Sequence, residues 1–393
     1  MQKKKVLMIQ PNLQPPGGGQ SVCAWMLQAL KDHYDLSVLS WAPVDLAPIN
    51  YFFGTSLSAE NMTFHSINPI LKRVVDCLPT STSLLKTSLL LRHCRKTGRN
   101  YDLLISANNE SDFGRPGIQY IHYPWNSFPR PDVDLRWFHV GPAISLYHRL
   151  CTTAGKFSKD RIRENITLVN SDWTSARVKE CYGGITTQTV YPPVVGDFSD
   201  TPWAERENGF LCIGRISPEK QIEKIIAVIS AVRAAGHDVH LHIVGTPDND
   251  AYYGRIARLV REHASWIALD HNLSRPELVR LICAHRYGIH GMPDEHFGMC
   301  IAEMVAGGCI VFVPDGGGQT EIVGDCTALQ YDCADTAVKK ITAVLSSEQE
   351  QQRLRACLLP RRELFSAEHF TRRILEIADA CTRSPQGGLR PPF

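Results

Sequence analysis

The sequence predicts an α/β protein with two doubly wound parallel sheets, each in its own domain. Each half of the chain opens with a short apolar strand, a glycine-bearing turn and an amphipathic helix. Strands and helices then alternate along each half, which is typical of parallel sheets covered by helices on both faces. The length of 393 residues also suits two such domains better than one core.

In the first half, the apolar strand Val6–Ile9 precedes Gly17, Gly18 and Gly19, and a helix is expected from about residue 21 to residue 31. Further strands of this half are expected at Leu36–Ser40, Leu103–Ser106, Gln119–His122 and Thr167–Asn170. All are short and apolar, as strands buried on both faces are.

In the second half, the strand Gly209–Ile213 leads to Gly214 and to a helix expected over Pro218–Ala235, with Ser217 as its N-cap. One apolar stripe supports this helix, made of Ile222, Ile225, Ile226, Ile229 and Val232. Further strands are expected at Val239–Val244, Trp266–Leu269, Tyr287–His290 and Cys309–Val313.

The boundary between the halves is expected near residues 195–208, where Pro, Gly, Ser and Asp cluster without periodicity. The expected domains are therefore 1–195 and 196–383, with the last helix free to pack back on the first domain. Residues 384–393 are rich in Pro and Gly and are expected to form a flexible tail. Ligands of doubly wound sheets bind beyond the carboxyl ends of the strands, so two facing sheets would share one cleft.

Composition excludes several classes of protein. The formal net charge is only +2, so no global field points to nucleic acid. The apolar stretch Val6–Ile9 is too short for a signal peptide, and no apolar run is long enough to span a bilayer. Thirteen cysteines are scattered without C-x-x-C spacing, which predicts unpaired thiols in a reducing compartment, the cytoplasm.

The strongest chemical signal is a pair of glutamates, Glu295 and Glu303, on either side of a glycine turn that opens a helix. A helix N-terminus offers backbone N–H groups and a positive dipole end, which suit a diphosphate. Carboxylates beside it suit the neutral hydroxyls of a sugar or ribose. An ordinary loop glutamate and an exposed helix glutamate would give the same pattern.

A second signal lies at Gly214, Arg215 and Lys220, directly after a strand. A guanidinium and an ammonium beside another helix N-terminus form a clamp for phosphate oxygens. Either residue alone would be interpreted as an exposed surface cation. Together with Glu295 and Glu303, all at strand-to-helix edges of one domain, they predict a site for a nucleoside-diphosphate ligand.

These elements, G-R-x4-K at Gly214–Lys220 and E-x7-E at Glu295–Glu303, resemble those of the retaining GT-B glycosyltransferases of family four, the group 1 transferases. The resemblance implies two facing Rossmann-like domains. It also implies that Arg215 and Lys220 hold the diphosphate and that Glu303 holds the ribose. Glu295 and the backbone N–H groups of three following residues would hold the donor sugar and diphosphate; these residues are Phe297, Gly298 and Met299.

Elements of the first half fit the same family. Gly17–Gly19 resembles its glycine-rich loop, and His122 ends a strand where family members place a histidine against the donor sugar. Tyr191–Pro193 matches its end-of-domain pattern. Three segments, His122–Pro124, Tyr191–Pro193 and Glu295–Gly298, together resemble the α-1,2-mannosyltransferases that act on dolichol-linked oligosaccharides, and this resemblance favours GDP-mannose as the donor.

Metal and dinucleotide sites are not expected. Asp248-Asn249-Asp250 spells D-x-D, but it follows Gly245 in a turn-rich loop, where these residues are good turn formers. Arg215 and Lys220 already supply positive charge, so no metal or cofactor is required. Gly245 is expected to contact the nucleotide-sugar donor. Gly17–Gly19 lacks the G-x-G-x-x-G spacing of a dinucleotide fold.

The sequence thus predicts a metal-independent hexosyltransferase, with a nucleoside-diphosphate sugar as donor and a hydroxyl of a lipid-linked, glycan or small-molecule acceptor. A nucleotide-sugar 2-epimerase and a catalytically silent binding subunit remain alternatives. The segment Leu84–Lys96 combines leucines with basic residues and contains no acidic residue, which suits either an interfacial helix on an anionic membrane or a helix whose leucines face the core. The segment Arg136–His139 adds aromatic and basic residues nearby in sequence, which suit the same interfacial contact.

Overall fold

The computed structural model describes residues 3–14, 17–78, 82–124, 142–199 and 201–383. These residues form two compact units, one comprising the chain up to Pro193 and the segment from Ala367 onwards, the other comprising Val194–Ser366. The second unit is continuous in sequence and ends at Ser366 rather than at residue 383, because the last helix belongs to the first unit. The tail 384–393 and the segment Arg136–His139 lie outside the described residues.

The first unit is a parallel sheet with helices between its strands. Its strands are β1 Lys5–Ile9, β2 Asp35–Ser40, β3 Met62–Ser66, β4 Leu103–Ser106, β5 Ile118–Ile121, β6 Ile166–Val169 and β7 Thr187–Thr189. Its helices are α1 Gly18–Leu30, α2 Leu46–Phe53, α3 Pro69–Asp76, α4 Ser83–Thr97, α5 Pro142–Gly155, α6 Lys159–Arg163, α7 Asp172–Tyr182 and α16 Ala367–Arg383. The strand order is β3-β2-β1-β4-β5-β6-β7.

The second unit repeats this plan. Its strands are β8 Glu207–Ile213, β9 His240–Val244, β10 Ile267–Asp270, β11 His285–Ile289, β12 Ile310–Pro314 and β13 Gln330–Tyr331. Its helices are α8 Ile222–Ala234, α9 Asp250–Glu262, α10 Arg275–Ala284, α11 Met299–Ala306, α12 Gln319–Val323, α13 Ala334–Leu345, α14 Glu348–Leu358 and α15 Arg361–Leu364. The strand order is β10-β9-β8-β11-β12-β13.

All strand pairs of both sheets are parallel, as predicted. In the first sheet, β2 and β3 follow on one side of β1, and the order then reverses because β4 pairs with the other side of β1. In the second sheet, β9 and β10 follow on one side of β8, and β11 pairs with the other side. Ligands of doubly wound sheets bind at such a reversal, beyond the carboxyl ends of the strands. In the second sheet this position lies between β8 and β11.

Helix α16 completes the core of the first unit. Phe370, Ile374 and Ile377 are fully buried in one cluster with Met26 and Leu30 of α1. The hydroxyl of Tyr34 also donates to Asp379 Oδ1 over 2.6 Å. The first unit therefore depends on the last residues of the described chain.

The apolar stripe predicted for α8 is confirmed, because all five of its residues are 4% exposed or less. The predicted start of this helix was wrong. Residues Pro218–Lys220 form a 3₁₀ turn, and Gln221 has a φ of 51° before α8 begins at Ile222. The side chain of Ser217 makes no capping hydrogen bond. Lys220 is therefore held by a tight turn rather than by the first turn of a long helix.

Helix α4 packs its leucines inward. Leu84, Leu90 and Leu91 are at most 6% exposed, and Leu90 and Leu91 lie in the core beside β1 and β4. Lys86 pairs with Asp76 over 2.7 Å, and Arg95 pairs with Asp112 over 2.9 Å. The core alternative for Leu84–Lys96 is therefore correct, and the interfacial interpretation of this segment was wrong, because its apolar face is already covered.

The cysteines depart from the sequence prediction at one pair, since Cys326 and Cys357 are joined by a disulfide. Most of the other cysteines are buried. Within the described ranges, the helices are too short or too polar for any of them to cross a bilayer.

Candidate active site

The predicted phosphate and sugar residues of the second unit meet where the strand order reverses. Gly214, Arg215 and Lys220 follow the carboxyl end of β8, and Glu295 follows the carboxyl end of the neighbouring strand β11. Since parallel strands place their carboxyl ends at one edge, four residues that are up to 81 positions apart in sequence lie together.

Lys220 and Glu295 form an ion pair at the centre of this site, with the ammonium on Glu295 Oε2. Their side chains are only 15% and 17% exposed. Burial alone would raise the pKa of Glu295, but the Lys220 charge and a hydrogen bond from His290 hold this pKa well below its usual range. Burial likewise opposes the charge of Lys220, yet Glu295 leaves the lysine pKa raised. Both groups are therefore charged at neutral pH.

His290 is a site residue that the sequence prediction missed. It follows β11 directly, is 2% exposed, and its Nε2 lies 3.2 Å from Glu295 Oε2. Burial lowers the pKa of His290, so its neutral ring donates Nε2–H to the carboxylate. A lone histidine at a strand end carries no spacing signal, which is why the sequence did not single it out.

Arg215 lies at the exposed edge of the site, with a side chain 59% exposed. Its guanidinium contacts Glu219 over 3.1 Å and Asp248 over 3.0 Å. Asp248 of the D-x-D sequence thus pairs with an arginine, while Asn249 caps α9 by accepting from the Tyr252 N–H over 2.9 Å. These contacts give the D-x-D sequence structural roles in its turn.

The turns after β8 and β9 touch each other through two glycines. Gly214 has a φ of 153°, and its N–H donates to Val244 O over 3.0 Å. A Cβ placed on Gly245 would lie only 1.7 Å from the carbonyl oxygen of Gly214. Gly245 therefore allows the two turns to meet, and it sets the position of the backbone that carries Arg215.

The glycine turn before α11 lies as predicted. Gly298 is the N-cap with a φ of 102°, and Met299 begins the helix. Phe297 is 2% exposed, and its ring packs edge-on against Phe365 with centroids 5.6 Å apart. Glu295 precedes this turn, so the start of α11 lies directly beside the Lys220–Glu295 pair.

Glu303 lies one turn inside α11, where Arg275 of α10 holds it. Arg275 Nη1 donates to Glu303 Oε1 over 2.7 Å, and the same guanidinium bonds to the carbonyl of Val195. Burial raises the pKa of the Cys300 thiol to about 12, and Cys300 also interacts electrostatically with Lys220, Glu295 and Glu303. Glu303 is therefore part of the same site, and Arg275 is a second residue that sequence patterns did not reveal.

The loop after β12 supports Glu295 from behind. The N–H of Gly318 donates to Glu295 O over 2.7 Å, and a Cβ on Gly317 would lie 2.4 Å from that same oxygen. The amide nitrogen of Gln319, a fully buried residue, lies 2.8 Å from the carbonyl oxygens of both Met292 and Pro293. This loop therefore fixes the backbone that presents Glu295.

In the first unit, His122 follows β5 and is held on several sides. Its Nε2 donates to Ala107 O over 3.0 Å, and its backbone N–H donates to Asn109 Oδ1 over 2.7 Å. Burial lowers the pKa of His122 to about 4, so the ring is neutral at physiological pH. Since Nε2 carries the proton, Nδ1 is an acceptor.

The glycine sequence of the first unit is the start of a helix rather than a separate loop. Gly17 is the N-cap of α1, and Gly18 and Gly19 lie in its first turn. A Cβ on Gly19 would lie 3.3 Å from His122 Nε2, so the small residue lets the helix approach the histidine closely. Gly17–Gly19 and His122 therefore lie at the same edge of the first sheet.

Residues 197–356 match the family model of glycosyl transferases group 1. The segment includes Arg215, Lys220, Glu295 and Glu303. This match confirms, over residues 197–356, the resemblance to the group 1 glycosyltransferases that the sequence predicted.

The curated proteins that the chain resembles include several α-1,2-mannosyltransferases. The chain is 27% identical over 317 residues to a GDP-Man:Man(3)GlcNAc(2)-PP-Dol alpha-1,2-mannosyltransferase of Neurospora crassa, covering 68% of this chain and 56% of the relative. It is also 27% identical over 243 residues to the protein of the same name from Mus musculus, covering 56% of this chain and 48% of the relative. The chain thus spans about half the length of the curated relatives it matches.

Solved structures show the same fold. HepE of Anabaena, crystallised with UDP and glucose, aligns with a TM-score of 0.67 at 14% identity, covering 96% of this chain and 99% of that one. WaaG, a glycosyltransferase involved in lipopolysaccharide biosynthesis, aligns with a TM-score of 0.64 at 13% identity, covering 96% and 100%. The chain has the GT-B fold, as predicted.

Proposed function

We propose that this chain is a retaining hexosyltransferase that takes mannose from GDP-mannose and transfers it to a hydroxyl of a lipid-linked glycan. The observation that carries the proposal is the buried Lys220–Glu295 pair beside Arg215 and the start of α11. This cluster lies within the segment matched by the group 1 model. The donor and the acceptor class are those named for the curated mannosyltransferases that the chain resembles.

In the proposed reaction, negative charge grows on the departing diphosphate as the glycosidic bond opens. Arg215, Lys220 and the N-terminus of α11 are fixed before the reaction, so they stabilise this charge mainly in the transition state. Glu295 would hold hydroxyls of the donor sugar, and Glu303 those of the ribose. Arg215, Lys220 and the N-terminus of α11 supply the positive charge that a metal would otherwise provide. The proposed reaction therefore uses neither a metal nor a covalent intermediate.

Thermal-shift measurements with GDP-mannose, UDP-glucose and ADP-glucose test the donor. A ligand that binds only the folded state at 100 times its Kd adds about 2.7 kcal/mol of stability. We expect GDP-mannose to raise the unfolding temperature most. Equal shifts with all three sugars would contradict the proposed donor.

The products distinguish the two alternative functions. Slow release of mannose from GDP-mannose by the purified protein, or transfer to an added acceptor, would support the transferase. A 2-epimerised nucleotide sugar would identify an epimerase of the same fold. Binding without any turnover, even with a lipid-linked glycan present, would identify a silent binding subunit.

Glu303→Gln is expected to raise the KM for the donor about 10-fold while leaving kcat within about twofold. The loss is that of one charged hydrogen bond to the bound ribose, which acts equally in ground and transition states. Steady-state kinetics with varied donor measure both constants. Glu262→Gln, an exposed change on α9, is the matched control, and a fall in kcat at unchanged KM would contradict the ribose assignment.

We also propose that the protein reaches its lipid-linked acceptor by contact with an anionic membrane, through α3 instead of α4. Ile70 and Val74 of α3 are 76% and 60% exposed, and Leu78 just beyond the helix is 44% exposed. Arg73 lies on the same helix, and a cation near an anionic surface adds about 1 kcal/mol. Because anionic lipids are concentrated in the cytoplasmic leaflet, the protein would bind the cytoplasmic face of the membrane.

Co-sedimentation of the full chain with vesicles rich in phosphatidylserine tests this contact. We expect binding at low salt that weakens at high salt, and that is lost when Ile70 and Val74 are both changed to glutamate. Leu359→Glu, at a residue 58% exposed in the second unit, is the control and should bind as the wild type does. An unchanged bound fraction for the Ile70/Val74 variant would refute the α3 surface.

A further inference from the structure

Three side chains with metal-binding atoms lie at the amino ends of adjacent strands of the second sheet. Glu207 begins β8, His240 begins β9 and His285 begins β11. Glu207 is the register partner of His285, and His240 is the partner of Gly209, two residues along β8. Because alternate residues of a strand share a face, all three side chains point to one side of the sheet. Strand β8 has seven residues, so this cluster lies about 20 Å from the candidate active site.

The spacing of the three atoms suits a small tetrahedral metal ion. His240 Nε2 lies 3.1 Å from His285 Nε2 and 3.2 Å from Glu207 Oε2, and His285 Nε2 lies 3.7 Å from Glu207 Oε2. Zinc bonds of about 2.0–2.1 Å in tetrahedral geometry place neighbouring ligand atoms about 3.3 Å apart. An ion about 2 Å from all three atoms therefore fits without moving them.

A backbone contact prepares His285 as a ligand. Its Nδ1 lies 2.9 Å from the carbonyl oxygen of Leu281, to which only an N–H can donate. The proton is therefore on Nδ1, and the lone pair of Nε2 points towards His240 and Glu207. Metal-binding histidines are oriented in this way by their second nitrogen. His285 is fully buried, so its ring cannot turn away.

Gly209 leaves the space that His240 occupies. A Cβ on residue 209 would lie 2.1 Å from His240 Nε2, so the imidazole crosses β8 just where any other side chain would begin. The rings of His240 and His285 meet edge to face with centroids 5.1 Å apart. The sheet is thus shaped to bring the two imidazoles and Glu207 together.

We infer that Glu207, His240 and His285 bind one divalent transition-metal ion, most favourably zinc, with a water molecule as the fourth ligand. Two imidazoles and one carboxylate suit zinc, whereas magnesium and calcium prefer all-oxygen sites. The ion joins β9, β8 and β11 at the edge opposite the candidate active site, so its role is to stabilise the second unit. Without an ion, the three side chains are joined only by the contacts of His240 Nε2 with His285 and Glu207. The metal-bound and metal-free forms therefore differ in stability and in absorption when cobalt is bound.

Metal binding is tested on the untagged full chain, stripped with a chelator and titrated with zinc against a chromophoric competitor. We expect one zinc per chain, and cobalt in its place should give the visible absorption of a tetrahedral site. At zinc 100 times above its Kd, the unfolding temperature of the second unit should rise by about 5–10 °C.

The variant Glu207→Gln combined with His240→Asn removes two ligands that are partly exposed, which leaves the buried His285 in place. We expect zinc affinity to fall at least 100-fold and the thermal shift to disappear. His271→Asn, at an exposed histidine of the same unit, should bind zinc as the wild type does. Absence of zinc binding by the folded wild type, unchanged affinity in the double variant, or an octahedral cobalt spectrum would each overturn the inference.

Discussion

Lys220→Ala is expected to lower turnover at saturating donor by about 100–1,000-fold, the effect of removing one preformed donor to transition-state charge. The lysine is buried, paired with Glu295 and presented by the tight Pro218–Lys220 turn, so a neighbouring cation cannot replace it. Single-turnover rates measure the effect directly. Lys220→Arg keeps the positive charge, so its turnover should fall less than that of Lys220→Ala.

The control for this experiment is Lys224→Ala, because Lys224 is an exposed lysine on the adjacent helix α8. It should retain wild-type turnover. Removing Lys220 also leaves the buried carboxylate of Glu295 with His290 alone, which costs about 3–5 kcal/mol of stability. Rates are therefore compared below the unfolding transition of each variant. A folded Lys220→Ala protein with turnover near that of the wild type would disprove the phosphate role.

Gly245→Ala is expected to destabilise the second unit by about 3 kcal/mol, at the upper end of the usual cost of overpacking. The added Cβ would lie 1.7 Å from the carbonyl oxygen of Gly214, which belongs to rigid backbone and cannot rotate away. The unfolding temperature should fall by about 6–12 °C. Donor affinity should fall as well, because the displaced turn carries Arg215.

Gly254→Ala is the matched control. Gly254 lies inside α9, and a Cβ there would meet no atom within 4 Å. Replacing a helical glycine with alanine should stabilise the protein by about 0.4–1 kcal/mol. Opposite signs for the two alanines would confirm that the contact between the turns causes the effect, and unchanged stability of Gly245→Ala would refute it.

Much of the fold could be predicted because local signals and the global pattern agree. Short apolar stretches predicted ten of the strands close to their observed bounds. Strand β3 was missed, since its sequence Met-Thr-Phe-His-Ser is largely exposed and its apolar residues are few. The two-residue strand β13 is too short to leave a pattern.

Some residues of the candidate site could be predicted from the sequence, and others could not. Arg215, Lys220, Glu295 and Glu303 could be singled out because turns and helix starts order them along the chain. His290 and Arg275 could not, because each acts through a contact that only tertiary structure creates, with Glu295 and with Glu303. The leucines of α4 were ambiguous for a related reason. An apolar helix face looks the same whether a sheet or a lipid covers it.

The placement of α16 in the first unit has a consequence for biosynthesis. Residues Phe370, Ile374 and Ile377 belong to the core around α1, yet the ribosome makes them only after the whole of Val194–Ser366 has been translated. At about 5–20 residues per second, the nascent first unit waits for about 10–40 s with that part of its apolar surface uncovered. The second unit, being continuous, can fold during that interval. The core of the first unit can therefore be completed only after the whole of the second unit has been synthesised.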